Sequence, residues 1–359
     1  MRRYLVALGV AVALVIAVDL LDPFRDYQLA TAAGYLCATA GLTVLVGQSG
    51  QLSLGHGALM AIGAYAVALV QNAFGDRTQW MLLVSLAVGV LAAAVAGAVV
   101  GVAAARLRGP YLAGLTLVVA VAVPSVGTLA GGVFHGDQGL SVFLPPPPAA
   151  LGADLPFERW QAGIALSAAL VTMLLLANLT AGRFGRTLRA VRDDEVAAAL
   201  SGIAVGRVRV LAFVVSAACA GLGGGVFAVL SQSVSPDAFA LTLSLNLLLA
   251  IVVGGLGSLA GAVWGSLLLV LLPWLTDSLS RAVSLPPGPA QRLAGNLPLA
   301  IFGLLLIVVM IAAPSGVQGL LNRAGRWARG SWRQRRTPRR AATAAAQDAE
   351  PDTPVPSRT

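Results

Sequence analysis

Long runs of apolar residues alternate with short polar segments along the chain. Most runs are about 17–25 residues long and hold almost no charges, which is the length that lets an α-helix cross a hydrocarbon core about 30 Å thick. They predict membrane spans at approximately 4–18, 28–46, 57–74, 80–105, 110–134, 160–180, 210–232 and 297–313. The pattern therefore predicts a polytopic membrane protein.

A further apolar block, at 240–275, is too long for one crossing, because a helix rises about 1.5 Å per residue. Small residues interrupt this block and predict a helix break that divides it into two crossings. The residues at the predicted break are Gly254, Gly255, Gly257 and Ser258. The division brings the predicted number of spans to about ten.

The arginines indicate how the spans are oriented. They cluster at 2–3, 106–108, 183–209 and 323–340, and these clusters share one side of the membrane only if the long block crosses twice. Since positive charge accumulates on the cytoplasmic side, both termini are predicted to be cytoplasmic. The run at 4–18 lacks a small-residue cleavage site after it, so we interpret it as an anchor rather than as a signal peptide.

The predicted fold is an all-α polytopic membrane helix bundle with discontinuous helices. Residues 1–322 form the transmembrane domain, with an outward loop at 135–159 and an inward segment at 182–209. Residues 323–359 are predicted to form a basic and then disordered cytoplasmic tail, because they offer no apolar face to bury.

The amino-acid composition excludes several classes of function. The chain is 57% hydrophobic and 11% charged, and all 24 of its basic residues are arginine. Without lysine there is no Walker A phosphate loop and no Schiff base, so this chain is not expected to hydrolyse ATP. The net charge of +9 is explained by arginines beside membrane spans, which predicts contact with lipid headgroups and no nucleic-acid partner.

The predicted spans carry no aspartate, glutamate or arginine near mid-depth. Ion-coupled carriers use such groups as relays, so an ion-coupled secondary transporter is an alternative that this absence disfavours. The two histidines, His56 and His135, lie at the ends of different spans and predict no metal site. Neither has a nucleophilic partner, so we expect no enzyme activity and no bound cofactor.

One stretch between two apolar runs is polar yet carries no formal charge. It extends from Gly47 to Gly57, and backbone that leaves a helix at membrane depth is tolerated only when buried in protein or lining a water cavity. We therefore predict a discontinuous helix that lines a substrate path; an exposed hairpin turn is the alternative. The candidate path residues are Gln48, Ser49, Gly50, Gln51, Ser53, Gly55 and His56.

The inward segment 182–209 opens with four arginines and continues with acidic and alanine residues. Asp193 and Asp194 suit the start of a short helix and Gly202 suits its end. Such a helix on the membrane face could receive a push from a soluble partner. The alternative is an ordinary solvated loop.

Several motifs resemble those of permease subunits of branched-chain amino acid ABC importers. They are G-Q-S-G-Q-L-S-L-G-H-G-A-L-M-A-I-G-A-Y at Gly47–Tyr65, R-A-V-R-D-D-E-V-A-A-A-L-S-G-I-A-V-G-R-V-R-V-L-A-F at Arg189–Phe213, R-G-P-Y-L at Arg108–Leu112, V-S-P-D at Val234–Asp237 and A-I-V-V-G-G-L-G-S at Ala250–Ser258. They run in the family's order, and the match is closer to the longer of its two permease types.

The resemblance implies a set of partners and a role for the inward segment. The partners are a second permease subunit, two ATP-binding subunits that carry the ATP, and an extracytoplasmic solute-binding protein, in a bacterial cytoplasmic membrane. The implied coupling-loop residues are Arg189, Arg192, Asp193, Asp194, Glu195, Ala197, Ala198 and Gly202. The family's Glu-Ala-Ala pattern is offset here, because Val196 separates the glutamate from the alanines. A urea or short-amide importer shares these motifs and is the closest alternative.

Overall fold

The structure is a computed structural model. It describes residues 22–75, 77–107, 109–148, 156–282 and 316–323, together with the single positions 9, 303, 304 and 307. The predicted spans at 4–18 and 297–313, and the predicted tail beyond residue 323, lie outside these ranges apart from those single positions.

Helices account for most of the described chain. The long helices are α1 (Pro23–Leu42), α2 (His56–Phe74), α3 (Gln79–Arg106), α4 (Pro110–Leu129), α6 (Phe157–Ala181), α9 (Val205–Ser231), α10 (Leu241–Gly254) and α11 (Leu259–Ala282). Shorter helices are α5 (Gly131–Phe134), α7 (Arg183–Asp193) and α8 (Glu195–Leu200). A π-helical turn, Thr43–Gln48, extends α1, and 3-10 turns cover Gly136–Gln138 and Pro236–Phe239.

Seven helical stretches in the described chain are long and apolar enough to cross a membrane. The chain is therefore a multi-pass membrane protein with a helical fold, as its apolar pattern predicted. The total of about ten spans and the cytoplasmic position of both termini remain predictions. Helix α4 continues through Pro124, whose ring removes one backbone hydrogen bond without ending the helix.

Small residues allow the central helices to pack closely. Helix α9 packs most extensively against α3 and also contacts α1 and α2. At the crossing of α9 and α3, the space beside Gly221 is filled by the Cβ of Ala93 and the carbonyl O of Gly89. Because lipid provides no hydrophobic drive between helices, this close approach and its dispersion contacts hold the bundle together.

Helices α10 and α11 form a hairpin at the predicted break. Helix α10 ends at Gly254, and Gly255 and Gly257 follow with φ of 125° and 79°, values that favour glycine. The Oγ of Ser258 lies 3.4 Å from the backbone N of Gly261 in the first turn of α11. The chain thus reverses within four residues.

A two-stranded antiparallel ribbon lies at the other end of the bundle, which the all-helical prediction did not include. Its strands are β1 (Leu140–Ser141) and β2 (Ser233–Val234). Two amides at the end of α2 hold the connection after β1: Asn72 donates to the Ser141 carbonyl at 2.8 Å, and the Phe143 backbone N–H donates to Gln71 at 2.8 Å. Part of the predicted outward loop is therefore attached to the helices.

We predict that Gly221→Val destabilises the protein, because the new side chain meets the backbone of α3. Overpacking of this kind costs about 1–3 kcal/mol. Thermal unfolding of the full chain in detergent should show a Tm several degrees below the wild-type value. Gly114→Val on α4 is the matched control, since a Cβ there meets nothing within 4 Å. Equal stability of the two variants would contradict the assigned α3–α9 contact.

Candidate functional site

The polar segment, Gly47–Gly57, is a buried break between two membrane helices. The π-helical turn at the end of α1 widens the helix, and Gly50 then takes a left-handed φ of 72°. The chain continues without helical structure until α2 begins at His56. Gln48, Ser49, Gln51 and Ser53 are 1–7% exposed, whereas Gly50 and Leu52 are exposed, so the polar side chains of the segment face into the protein.

Hydrogen bonds from three other helices support the break. Oγ1 of Thr116 on α4 accepts from the Leu54 N–H at 2.9 Å. Oγ of Ser244 on α10 accepts from the Gly57 N–H at 2.9 Å. Nε2 of His56 lies 3.0 Å from the Ala38 carbonyl O on α1, so this nitrogen carries the proton and donates. Backbone that has left a helix thus finds its partners inside the protein.

His56 and Gly55 also form close contacts with neighbouring helices. His56 is fully buried and joins the start of α2 to α1. A Cβ on Gly55 would lie 2.6 Å from the Thr116 carbonyl O, so only glycine lets the polar segment approach α4 so closely. Among the described residues no group of three or more His, Cys, Asp or Glu side chains is placed to hold a metal ion.

The arginine-rich segment, residues 182–209, forms two consecutive helices rather than the single short helix that the sequence indicated. Asp193 was predicted at a helix start, but it is the last residue of α7, which is an amphipathic helix. Asp194 alone begins α8, and its carboxylate accepts from the N–H groups of Val196 and Ala197 at 2.9 and 3.0 Å. The arginine-rich sequence is itself helical as far as Asp193, so the cap of α8 is Asp194 rather than Asp193.

Helix α8 ends at a left-handed glycine. Gly202 has φ of 81°, and the Ile203 N–H donates to the Ala198 carbonyl at 3.1 Å across the turn. This pattern closes a helix C-terminus and needs a residue without a Cβ. Ala198 is 4% exposed and packs inward, whereas Ala197 is exposed.

Arg192 joins the arginine-rich segment to the polar segment. Its Nη1 donates to the Gly47 carbonyl O at 2.7 Å, and its Nη2 lies 2.9 Å from Asp193. Its aliphatic stem lies over Gly50, where a Cβ would come within 2.9 Å of Cγ. A charged donor thus satisfies a carbonyl at the end of the π-helical turn, a bond of the stronger, charge-assisted kind.

The hairpin between α10 and α11 also contacts Gly47. The backbone of Gly257 fills the place where Gly47 would carry a Cβ, and Nε2 of Gln48 lies 3.5 Å from the Gly257 carbonyl O. Three motifs far apart in sequence therefore converge on Gly47. We call Gly47, Arg192 and Gly257 the junction.

Two further arginines anchor the segment to the bundle. Arg209, at the start of α9, pairs with Glu195, and its carbonyl O lies 3.4 Å from Nε2 of Gln51. Nη1 of Arg189 donates to the Thr180 carbonyl at 3.3 Å at the end of α6. Glu195, offset from the family pattern, thus contacts α9 directly.

Some functional contacts gave no sequence signal. Thr116 and Ser244 are ordinary hydroxyl residues of apolar helices, where such side chains commonly bond within their own helix. Asp26, at the start of α1, is fully buried with Arg159 3.9 Å away, although no carboxylate was expected inside the bundle. It lies at the ribbon end of the bundle, away from the junction. Because the predicted span began at residue 28, Asp26 was placed outside the membrane.

The chain was compared with known proteins. The family described as branched-chain amino acid transport system / permease component matches residues 24–314. The chain belongs to this family. The match covers every described residue of the polar segment, the arginine-rich segment and the break at Gly254–Ser258.

Relatives of both permease types are similar to the chain. LivM, the high-affinity branched-chain amino acid transport system permease protein of Escherichia coli K12, is 29% identical over 310 residues, 79% of this chain and 67% of LivM. LivH of the same organism is 27% identical over 297 residues, covering 79% and 91%. BraD of Pseudomonas aeruginosa is 25% identical over 318 residues, covering 81% and 93%. The smaller covered share marks LivM as the longer type, which confirms the predicted resemblance. No solved structure matches the chain.

We predict that Arg192→Met loosens the polar segment without unfolding the bundle. Loss of a hydrogen bond to a charged group costs about 1.5–3 kcal/mol, enough to raise local opening at least about tenfold. Hydrogen–deuterium exchange of the full chain should show faster exchange in residues 47–52. Arg186→Met, an exposed arginine of the same helix, is the control. Unchanged exchange in the Arg192 variant would refute the junction.

Proposed function

We propose that this chain is a transmembrane permease subunit of an ABC importer that moves leucine, isoleucine and valine inward across a bacterial cytoplasmic membrane. A second permease subunit completes the pathway. An extracytoplasmic binding protein delivers the amino acid, and two ATP-binding subunits supply the energy. This chain performs no catalysis and binds no cofactor.

The observation that carries the proposal is the bond from Arg192 to the Gly47 carbonyl, 2.7 Å long. It connects a surface helix directly to a helix break inside the bundle. An ordinary solvated loop has no reason to hold such a bond. An ATPase that displaces α7 and α8 would therefore move the break without any intervening flexible segment.

The junction extends this displacement to a second break. Gly47 packs against Gly257, so movement of the π-helical turn is passed to the turn between α10 and α11. Both breaks lack the continuous hydrogen-bond ladder of a helix and are the places where the bundle yields most easily. Discontinuous helices of this kind form substrate sites in other transporters.

The charge distribution supports an external source of energy. Within the described chain the buried carboxylate is Asp26, which lies in the first turn of α1 beside Arg159 rather than at mid-depth. A proton or sodium relay needs several such groups along a path. The chain also lacks lysine, so the nucleotide site belongs to another subunit.

Uptake by proteoliposomes that contain the complete assembly tests the proposal. We expect accumulation of radiolabelled leucine that requires internal ATP and the binding protein, and competition by isoleucine and valine. Competition by urea instead would favour the short-amide importer. Accumulation driven by an ion gradient with no ATPase present would refute the proposal.

A second prediction concerns the end of α8. Gly202→Val should reduce uptake several-fold while ATP hydrolysis continues, because a β-branched residue is unfavourable at φ of 81° and shifts the end of the helix. Gly206→Val, in the first turn of α9 and with open space at its Cβ, is the control. Equal uptake per ATP hydrolysed in both variants would count against coupling through this segment.

A further inference from the structure

A cavity of about 510 Å³ opens beside the junction, between the polar segment, the start of α4 and the arginine-rich segment. We call it the polar cavity. Its volume falls within the range of about 300–1,000 Å³ in which small-molecule sites lie. The residues used below are Gln51, Leu52, Leu112, Arg192, Glu195 and Arg209.

Gln51 presents an unused hydrogen-bond acceptor in this wall. Its side chain is 3% exposed, and its Nε2 donates to Ser49 Oγ at 2.9 Å. Its Oε1 accepts no hydrogen bond from any described residue. A buried acceptor without a donor costs free energy, so a ligand that brings an N–H group would be stabilised here.

Charges of both signs line the same cavity. Arg192, Arg209 and Glu195 line the cavity, and Asp193 lies outside its lining. Arg209 pairs with Glu195 and Arg192 pairs with Asp193, so the two pairs together carry no net charge. A simple anion would leave this set with uncompensated negative charge, and a cation with positive charge. A ligand that carries one charge of each sign fits without changing the balance.

The start of α4 and two leucines complete the lining. Helix α4 is 20 residues long and begins at Pro110, so its positive dipole end faces the cavity and favours a carboxylate. Leu52 and Leu112 add apolar surface beside the charged groups. An aliphatic side chain would be accommodated there.

We propose that the polar cavity binds the substrate amino acid as a zwitterion on the side of the membrane from which it leaves. Arg192 and the start of α4 face its carboxylate, and Gln51 Oε1 and Glu195 face its ammonium group. The inference rests on the proposed transport function and assigns Arg192 two roles. It transmits movement of α7 to Gly47, and it contacts the carboxylate of the substrate. Substrate release and coupling would then be linked through one side chain.

Calorimetry on the complete assembly in lipid nanodiscs tests this inference, without ATP and without the binding protein. The probes are L-leucine, isovalerate, which lacks the ammonium group, isopentylamine, which lacks the carboxylate, and inorganic phosphate. We expect leucine to bind at least about tenfold more tightly than each of the other three. Phosphate that binds as tightly as leucine would overturn the inference in favour of a plain anion site.

Variants place the binding in the cavity. Gln51→Leu should weaken leucine binding at least about tenfold, whereas Gln71→Leu, a buried glutamine at the far end of α2, should not. Gln51→Glu keeps the size and adds negative charge, so it should bind isopentylamine more tightly relative to isovalerate. A folding defect cannot produce that reversal of preference.

The outcomes separate this inference from the transport function. Normal ATP-driven uptake with no leucine binding in the nanodiscs would overturn the cavity site alone. Unchanged ligand preference in Gln51→Glu, with equal loss of binding in Gln51→Leu and Gln71→Leu, would do the same. Absence of ATP-driven uptake by the wild-type assembly would remove the transport function first.

Discussion

Backbone polar groups inside a membrane must find partners within the protein, and the site depends on this constraint. At the break between α1 and α2, the hydroxyls of Thr116 and Ser244 accept from the N–H groups of Leu54 and Gly57, and the Arg192 guanidinium donates to the Gly47 carbonyl. Each partner belongs to a different part of the chain. The break is consequently stable only when several helices and the arginine-rich segment are assembled around it.

Close backbone contact is the second condition. Gly47 and Gly257 touch through their main chains, and a side chain at Gly47 would overlap the Gly257 backbone and separate the two breaks. The absence of a side chain at Gly221 likewise allows α3 and α9 to pack closely. Glycine therefore allows close approach in both places, between two long helices at Gly221 and between the two breaks at Gly47.

Features of the fold that depend on local pattern could be predicted from the sequence. The length of the apolar runs predicted the long helices, and the glycines between Gly254 and Gly257 predicted the turn between α10 and α11. Contacts between distant residues could not be predicted: nothing local pairs Leu140 with Val234, Arg192 with Gly47 or Asp26 with Arg159. The prediction named both Asp193 and Asp194 for the start of α8, because they offer the same side chain at neighbouring positions. Helix α7 continues through Asp193, so Asp194 alone caps α8.

Helix α9 is uninterrupted over 27 residues, about 40 Å of rise. At one end Arg209 holds Glu195, and at the other end the chain passes at once into the strand that pairs with Leu140 and Ser141. One continuous helix thus connects the ribbon to the surface helices. A displacement of either end along the helix axis would therefore be passed to the opposite face of the membrane through a single hydrogen-bonded ladder.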